Sequence, residues 1–170
     1  MLNFVSLNQS HFPLLLKWLE SPHVKAWWDQ NTSWTPELIQ EKYGDYVKGY
    51  KRENGVLKRI DAFIISFKDQ PIGYIQSYNA YDFQRSKPLV DLPKDLGAFD
   101  MLIGEEQYLN RSLGSKALTL FLDTKSSYSY TFADPDRNNA AAIRAYEKAG
   151  FKKIEKQPDD TAWWMLRGSF

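Results

Sequence analysis

Apolar residues recur at two spacings along this chain, and the spacing changes near its middle. "LNFVSL" (2–7) alternates as a first strand does. From His11 to Glu20 the positions Leu14, Leu15, Trp18 and Leu19 fall on one helical stripe, with Ser10 able to cap it and Pro13 early enough to be tolerated. "SPHVKAWWDQ" opens a second short helix at Pro22, and Thr35-Pro36-Glu37 opens a third that runs to about Lys48. The polar stretch "KGYKRENGVLK" (48–58) reads as a turn or loop.

Beyond it the pattern becomes β-rich. "IDAFIISF" (60–67) and "PIGYIQSYNAY" (71–81) read as a hairpin joined by "KDQ". Residues 79–97 mix Pro, Lys, Asp and Gly and predict a long excursion, of the kind that often carries function. "AFDMLI" (98–103) is a strand, Leu113 to about Leu122 a helix, and "YSYTFA" (128–133) a strand. A helix follows from Asn138 to Ala149, and "FKKIEK" and "AWWMLR" give two last strands. The order β-α-α-α-β-β-β-α-β-α-β-β predicts an α+β or mixed α/β fold in one domain over 1–170, without internal repeats.

Composition removes several alternatives. A chain of 170 residues can bury a sizeable core. Lys plus Arg (22) barely exceeds Asp plus Glu (21), so no global field recruits nucleic acid or an anionic membrane, and neither is expected as a partner. Cysteine is absent, which excludes disulfides, thiolate zinc sites and thiol nucleophiles. His11 and His23 are far apart without companions, so no metal is expected. "MLNFVSLNQS" is no signal peptide, and the longest apolar runs fall well short of the ~20 residues of a membrane span; the expected location is cytoplasmic.

Candidate chemistry concentrates in "DPDRNNAAAIRAYEKAGF" (134–151). Asp134-Pro135 stops a strand, Asn138 or Asn139 can cap the helix, and Gly150 supplies a left-handed stop. Four alanines leave the helix thin, which suits either close packing on a sheet or a ligand lying along its backbone. Asn139, Ala142, Tyr146, Glu147, Lys148, Ala149, Gly150 and Phe151 together resemble the closing motif of the GNAT superfamily of acyl-CoA-dependent N-acyltransferases. That resemblance implies a GNAT fold: a central, mostly antiparallel twisted sheet with helices on both faces and a splayed strand pair that binds CoA. It also implies that Asn139 and Ala142 flank the pantetheine arm and that Tyr146 meets the departing thiolate. A phenol suits that role, since with a pKa near ~10 it can protonate a thiolate without being ionised itself.

"DMLIGEEQYLNRSLGSKAL" (100–118) runs a strand into a helix whose first amides can receive phosphate. By resemblance, Arg111, Ser112, Leu113, Gly114 and Ser115 would hold the CoA pyrophosphate, and Leu102 and Ile103 the thioester or pantetheine. Leu109 and Ser112 depart from the family's Arg/Gln-x-x-Gly-x-Gly/Ala pattern, which puts cofactor affinity in question; Gly114 fits it.

"HVKAWWD", "PIGYIQSY", "FDMLIG" and the 134–151 stretch are similar, in order, to the aminoglycoside 6′-N-acetyltransferases and their siderophore-acylating relatives, from about residue 11 to 165. The resemblance implies Asp100 as the base that accepts the amine proton, Asp134 as a site for substrate ammonium groups, and Trp27, Trp28 and Tyr78 as substrate contacts. A carboxylate can both accept a proton and gather a cation, and aromatic faces pack on sugar rings. Asp134 could equally cap its turn, and one of the adjacent tryptophans could be core. The expected reaction is direct transfer from acetyl-CoA to a primary amine by a monomer or homodimer. A siderophore-precursor or other metabolite amine is the alternative substrate, and a non-catalytic acyl-CoA-binding module the alternative role.

Overall fold

The computed structural model describes residues 1–168. The chain divides into two compact units, Met1–Gln76 with Asp100–Arg111, and Ser77–Phe99 with Ser112 onward. The strands β4 (Gln70–Asn79) and β5 (Leu96–Ile103) each contribute residues to both.

In the first unit β1 (Leu2–Ser6) runs antiparallel to β3 (Val56–Phe67), with Leu2 opposite Phe67 and Ser6 opposite Phe63. The neighbour order is β1-β3-β4-β5. A 3-10 turn, Gln9–His11, precedes α1 (Phe12–Leu19). Asn8 caps this turn, its carboxamide accepting from the Ser10 amide at 2.9 Å while His11 Nδ1 accepts from the Asn8 amide, and α1 itself begins after His11 with no side-chain cap from Ser10. Asparagine reaches the amide two residues on, so the turn begins before the serine. The apolar stripe of α1 buries Phe12, Leu15, Trp18 and Leu19, leaving Leu14 half-buried. Next come the single turn α2 (Pro22–Lys25) and α3 (Pro36–Val47), whose Thr35 cap accepts from the Leu38 amide at 3.2 Å. Buried Ile39, Tyr43 and Tyr46 mark the inner face of α3.

The stretch expected as a loop at 48–58 is a hairpin. β2 (Tyr50–Glu53) pairs antiparallel with the start of β3, from Tyr50–Arg59 to Glu53–Val56. Asn54 (φ +48°) and Gly55 (φ +79°) make its two-residue turn, which needs positive φ at both positions. Both faces of β2 are polar, so alternation could not reveal it.

In the second unit the neighbour order is β4-β5-β6-β8-β7, with β6 (Tyr130–Ala133), β8 (Met165–Gly168) and the very short β7 (Lys152–Lys153). β6 is parallel to β5 only from Leu96–Tyr130 to Ala98–Phe132, although β5 continues to Ile103. The β1–β3, β2–β3, β6–β8 and β7–β8 pairs are antiparallel. The two last strands are shorter than expected because the Gln157 side chain takes over the ladder. Its amide donates to the Ile154 and Trp164 carbonyls at 2.9 and 3.0 Å, and its oxygen accepts from the Trp164 amide at 2.7 Å.

Ala80, Leu96, Ala98, Phe132 and Trp164 form a buried core, against which Leu89 and Leu92 of the excursion pack. Tyr81 Oη donates to the Pro93 carbonyl at 2.6 Å, and the Tyr78 and Phe83 rings meet edge to face at 5.2 Å. The excursion is therefore anchored at several points. α4 (Leu113–Thr124) and α5 (Ala140–Lys148) complete the unit.

Candidate active site

The expected site residues divide between the units. Asp100, Leu102, Ile103, Trp27, Trp28 and Arg111 belong to the first, and Tyr78, Ser112, Leu113, Gly114, Ser115, Asp134, Asn139, Ala142 and Tyr146 to the second.

In the first unit Asp100 is half-buried on β5, and Gln76 Nε2 donates to its Oδ2 at 2.8 Å. Gln76 is itself buried, and its Oε1 accepts from the Tyr74 hydroxyl at 2.6 Å. Burial pushes the Tyr74 phenol well above its ordinary range, with the neighbouring Tyr43 and Tyr46 phenols and the Asp100 carboxylate adding to the effect, so this hydroxyl stays protonated and donates. That fixes the Gln76 amide: oxygen toward the phenol, nitrogen toward the carboxylate. The relay holds Asp100 in one orientation while leaving it half-exposed.

Around it lies a cluster that sequence reasoning missed. Tyr43 and Tyr46, at i and i+3 on α3, meet edge to face at 5.1 Å, and Tyr43 meets Tyr74 at 5.9 Å. Burial, then the charges of Asp100 and Asp29, raise the Tyr46 phenol beyond the range in which it could ionise. Lys42 Nζ lies 3.5 Å from Asp29 Oδ2 and 5.4 Å from the Trp34 ring centroid. The tryptophan pair splits: Trp27 is 50% exposed, whereas Trp28 meets Tyr74 edge to face at 6.2 Å. The Asp100 carboxylate among aromatic faces suits a cationic, ring-bearing amine, while Asp29 already faces Lys42. The signal for α3 was present, since Ile39, Tyr43 and Tyr46 follow helical spacing.

His23 has a definite partner: its Nε2 donates to the Ile103 carbonyl at 2.9 Å. This ties α2 to the β5 segment expected to face a thioester. Leu102 beside it is buried. Arg111 folds back onto its own turn, over the Tyr108 ring at 5.4 Å and toward the Gln107 carbonyl.

In the second unit Asn139 caps α5, its side chain accepting from the Ala142 amide at 3.2 Å, and Gly150 (φ +97°) ends it. No residue of α5 is fully buried, so the thin helix is not closely covered within its unit. Tyr146 stands half-buried against Phe99 at 5.3 Å, edge to face, and Phe151 at 5.9 Å. Ser112 enters α4 with φ +57° and makes no side-chain cap to that helix. The buried Ser115 hydroxyl donates to the Ser112 carbonyl at 3.1 Å, so it is engaged in the first turn. Lys148, unassigned from sequence, donates to Ser112 Oγ at 3.4 Å and brings a cation beside the first amides of α4. An uncapped helix start with a lysine beside it fits a phosphate group.

Asp134 is half-exposed and paired with Arg85, whose Nη1 lies 3.1 Å from its Oδ2. Tyr78 is packed against the core and Phe83. Among the described residues no group of three or more His, Asp or Glu could hold a metal, and no helix is long and apolar enough to cross a membrane.

The family model for the acetyltransferase (GNAT) domain matches residues 8–158. The chain belongs to the GNAT acetyltransferase family. It is an acyl-CoA-dependent N-acetyltransferase with the mixed α/β GNAT fold. An aminoglycoside N(6′)-acetyltransferase type 1 from Klebsiella pneumoniae is 27% identical over 168 residues, covering 95% of this chain and 80% of the relative. A solved AAC(6′)-Ib with paromomycin and acetyl-CoA is 26% identical with a TM-score of 0.79, covering 98% of this chain and 93% of that one. The same coverage and identity hold for AAC(6′)-Ib with ribostamycin and coenzyme A, at a TM-score of 0.80.

Proposed function

We propose that this GNAT enzyme moves an acetyl group from acetyl-CoA to the 6′-amine of an aminoglycoside-type substrate by direct attack, without a covalent enzyme intermediate. The observation that carries the reading is the Asp100 carboxylate, held by Gln76 at 2.8 Å in a cluster that also contains Trp28, Tyr43, Tyr46, Tyr74 and Asp29. Resemblance along nearly the whole chain to proteins of that name supports the substrate.

An amine is nucleophilic only when neutral. Asp100 accepts its proton, the new N–C bond forms as the C–S bond breaks, and Tyr146 gives a proton or hydrogen bond to the sulfur that leaves. Acetyl-CoA supplies the activated thioester. Leu102 and Ile103, with the Ile103 carbonyl tied by His23, line the thioester's path, while Asn139 and Ala142 flank the pantetheine. The start of α4 from Ser112 to Ser115, with Lys148, meets the pyrophosphate. Trp27, Trp28 and Tyr78 contact the sugar, and Asp134 takes a second ammonium. No metal takes part, and the reaction is read as a cytoplasmic one, in keeping with a cytosolic acetyl-CoA supply.

One observation favours a second reading. Arg85 already neutralises Asp134, which suits a less cationic amine of the hydroxylysine type. The test follows free thiol from acetyl-CoA with kanamycin-like compounds, polyamines and hydroxylysine, and locates the acetyl group by NMR. Turnover at a 6′-amine supports the first reading and preferred turnover of hydroxylysine the second. Binding without turnover of any amine overturns both in favour of an acyl-CoA-binding module.

A further inference from the structure

The excursion between β4 and β5 delivers a cation to the carboxylate expected to bind a substrate ammonium. Arg85 Nη1 lies 3.1 Å from Asp134 Oδ2, with the two side chains 19% and 48% exposed. The guanidinium sits 4.9 Å from the centroid of Phe132, a fully buried core ring, so it is held by an aromatic face as well as by its ion pair. The segment that presents it is fixed on both sides: Phe83 against Tyr78, Leu89 and Leu92 against the core, and the Tyr81 hydroxyl on the Pro93 carbonyl. Arg85 is therefore held in place rather than trailing in solvent.

We propose that Arg85 is a specificity-determining residue, an internal counter-cation that stands where a substrate ammonium would sit and so lowers the enzyme's preference for multiply charged amines. This rests on the reading of Asp134 as an ammonium site. An incoming ammonium must compete with a guanidinium already desolvated against an aromatic face, and it meets the repulsion of that positive charge. An amine with a single charge needs only the group that reacts and is indifferent to Arg85. The residue thus sets the ratio between KM values for polycationic and monocationic substrates while standing apart from bond making.

The experiment compares the native enzyme with Arg85→Ala, Arg85→Gln and Arg85→Lys, measuring KM for a polycationic aminoglycoside and for a monocationic 6-amino-6-deoxyhexose by thiol release. Removing the charge in Arg85→Ala should lower the polycation-to-monocation KM ratio by about three- to fivefold, the range of a partly exposed ion pair. Arg85→Gln removes the charge but keeps a longer polar side chain, and should do the same if the alanine variant folds poorly. Arg85→Lys should keep the ratio within about twofold of native, since it keeps the charge. A ratio unchanged or raised in Arg85→Gln overturns the proposal, because a merely structural arginine would impair both substrates alike. If the native enzyme acetylates neither amine, the reading of its substrate fails instead. Calorimetric binding of the polycation to Arg85→Gln, tighter than to native protein, still supports the counter-cation role in that case, and equal binding overturns it.

Discussion

The relay from Tyr74 through Gln76 to Asp100 makes a quantitative prediction. Gln76→Leu keeps approximate volume but removes an acceptor from a fully buried hydroxyl and a donor from a carboxylate. Orphaning a buried donor costs about 1–3 kcal/mol. A hydrogen bond to a charged group contributes about 1.5–3 kcal/mol, less here because water can reach the half-buried Asp100. The variant should lose about 2–4 kcal/mol of stability in urea denaturation at neutral pH. Tyr74→Phe removes only the donor and should cost about 1 kcal/mol. In the double variant no hydroxyl is left orphaned, so the combined loss should fall short of the sum by about 1 kcal/mol. Catalysis should fall too, since Asp100 loses the group that orients it; kcat is expected to drop about tenfold. A Gln76→Leu loss below about 1 kcal/mol, with strictly additive effects, would refute the relay.

Other consequences can be checked separately. At Gly104 an added Cβ would overlap the indole of Trp18, which is fully buried, so Gly104→Ala should cost about 1–3 kcal/mol in a urea titration. Glu105 accepts from Lys17 at 2.7 Å and Trp18 at 2.9 Å, and these bonds hold its carboxyl below the ordinary 4.5. A depressed folded value contributes stability above pH 4.5 that is lost as the pH falls through it, so Glu105→Gln should flatten the urea midpoint across that acid window. Lys148→Ala should raise the KM for acetyl-CoA by about threefold, with the increment shrinking at high salt, as for an exposed ion pair.

Much of this molecule is legible in the sequence, and the gaps have physical causes. The helix that carries Tyr146, with a cap offered at Asn138 or Asn139 and a stop at Gly150, was readable because helix signals are local and contiguous; the structure takes Asn139. The hairpin at 50–59 escaped alternation because both faces of β2 are polar and Val56 and Leu57 opposite it are exposed, though Asn54-Gly55 was a turn signal in plain view. Gln76 stood as an amide midway along a largely apolar strand, but its partner Asp100 lies 24 residues away and only strand pairing brings the two together. Pairings such as Arg85 with Asp134 and Lys148 with Ser112 join segments 49 and 36 residues apart, for which side-chain identity carries no signal. Ser115 shows the converse: placed at the pyrophosphate by resemblance, it has its hydroxyl taken by its own helix turn.

Tyr146 offers the shortest route to the mechanism. Tyr146→Phe preserves the ring contacts with Phe99 and Phe151 and deletes only the hydroxyl. With saturating amine, kcat should fall by about tenfold to a hundredfold, while the Kd for CoA measured by calorimetry stays within about threefold. A kcat equal to that of the native enzyme would mean that the departing sulfur is met by some other group.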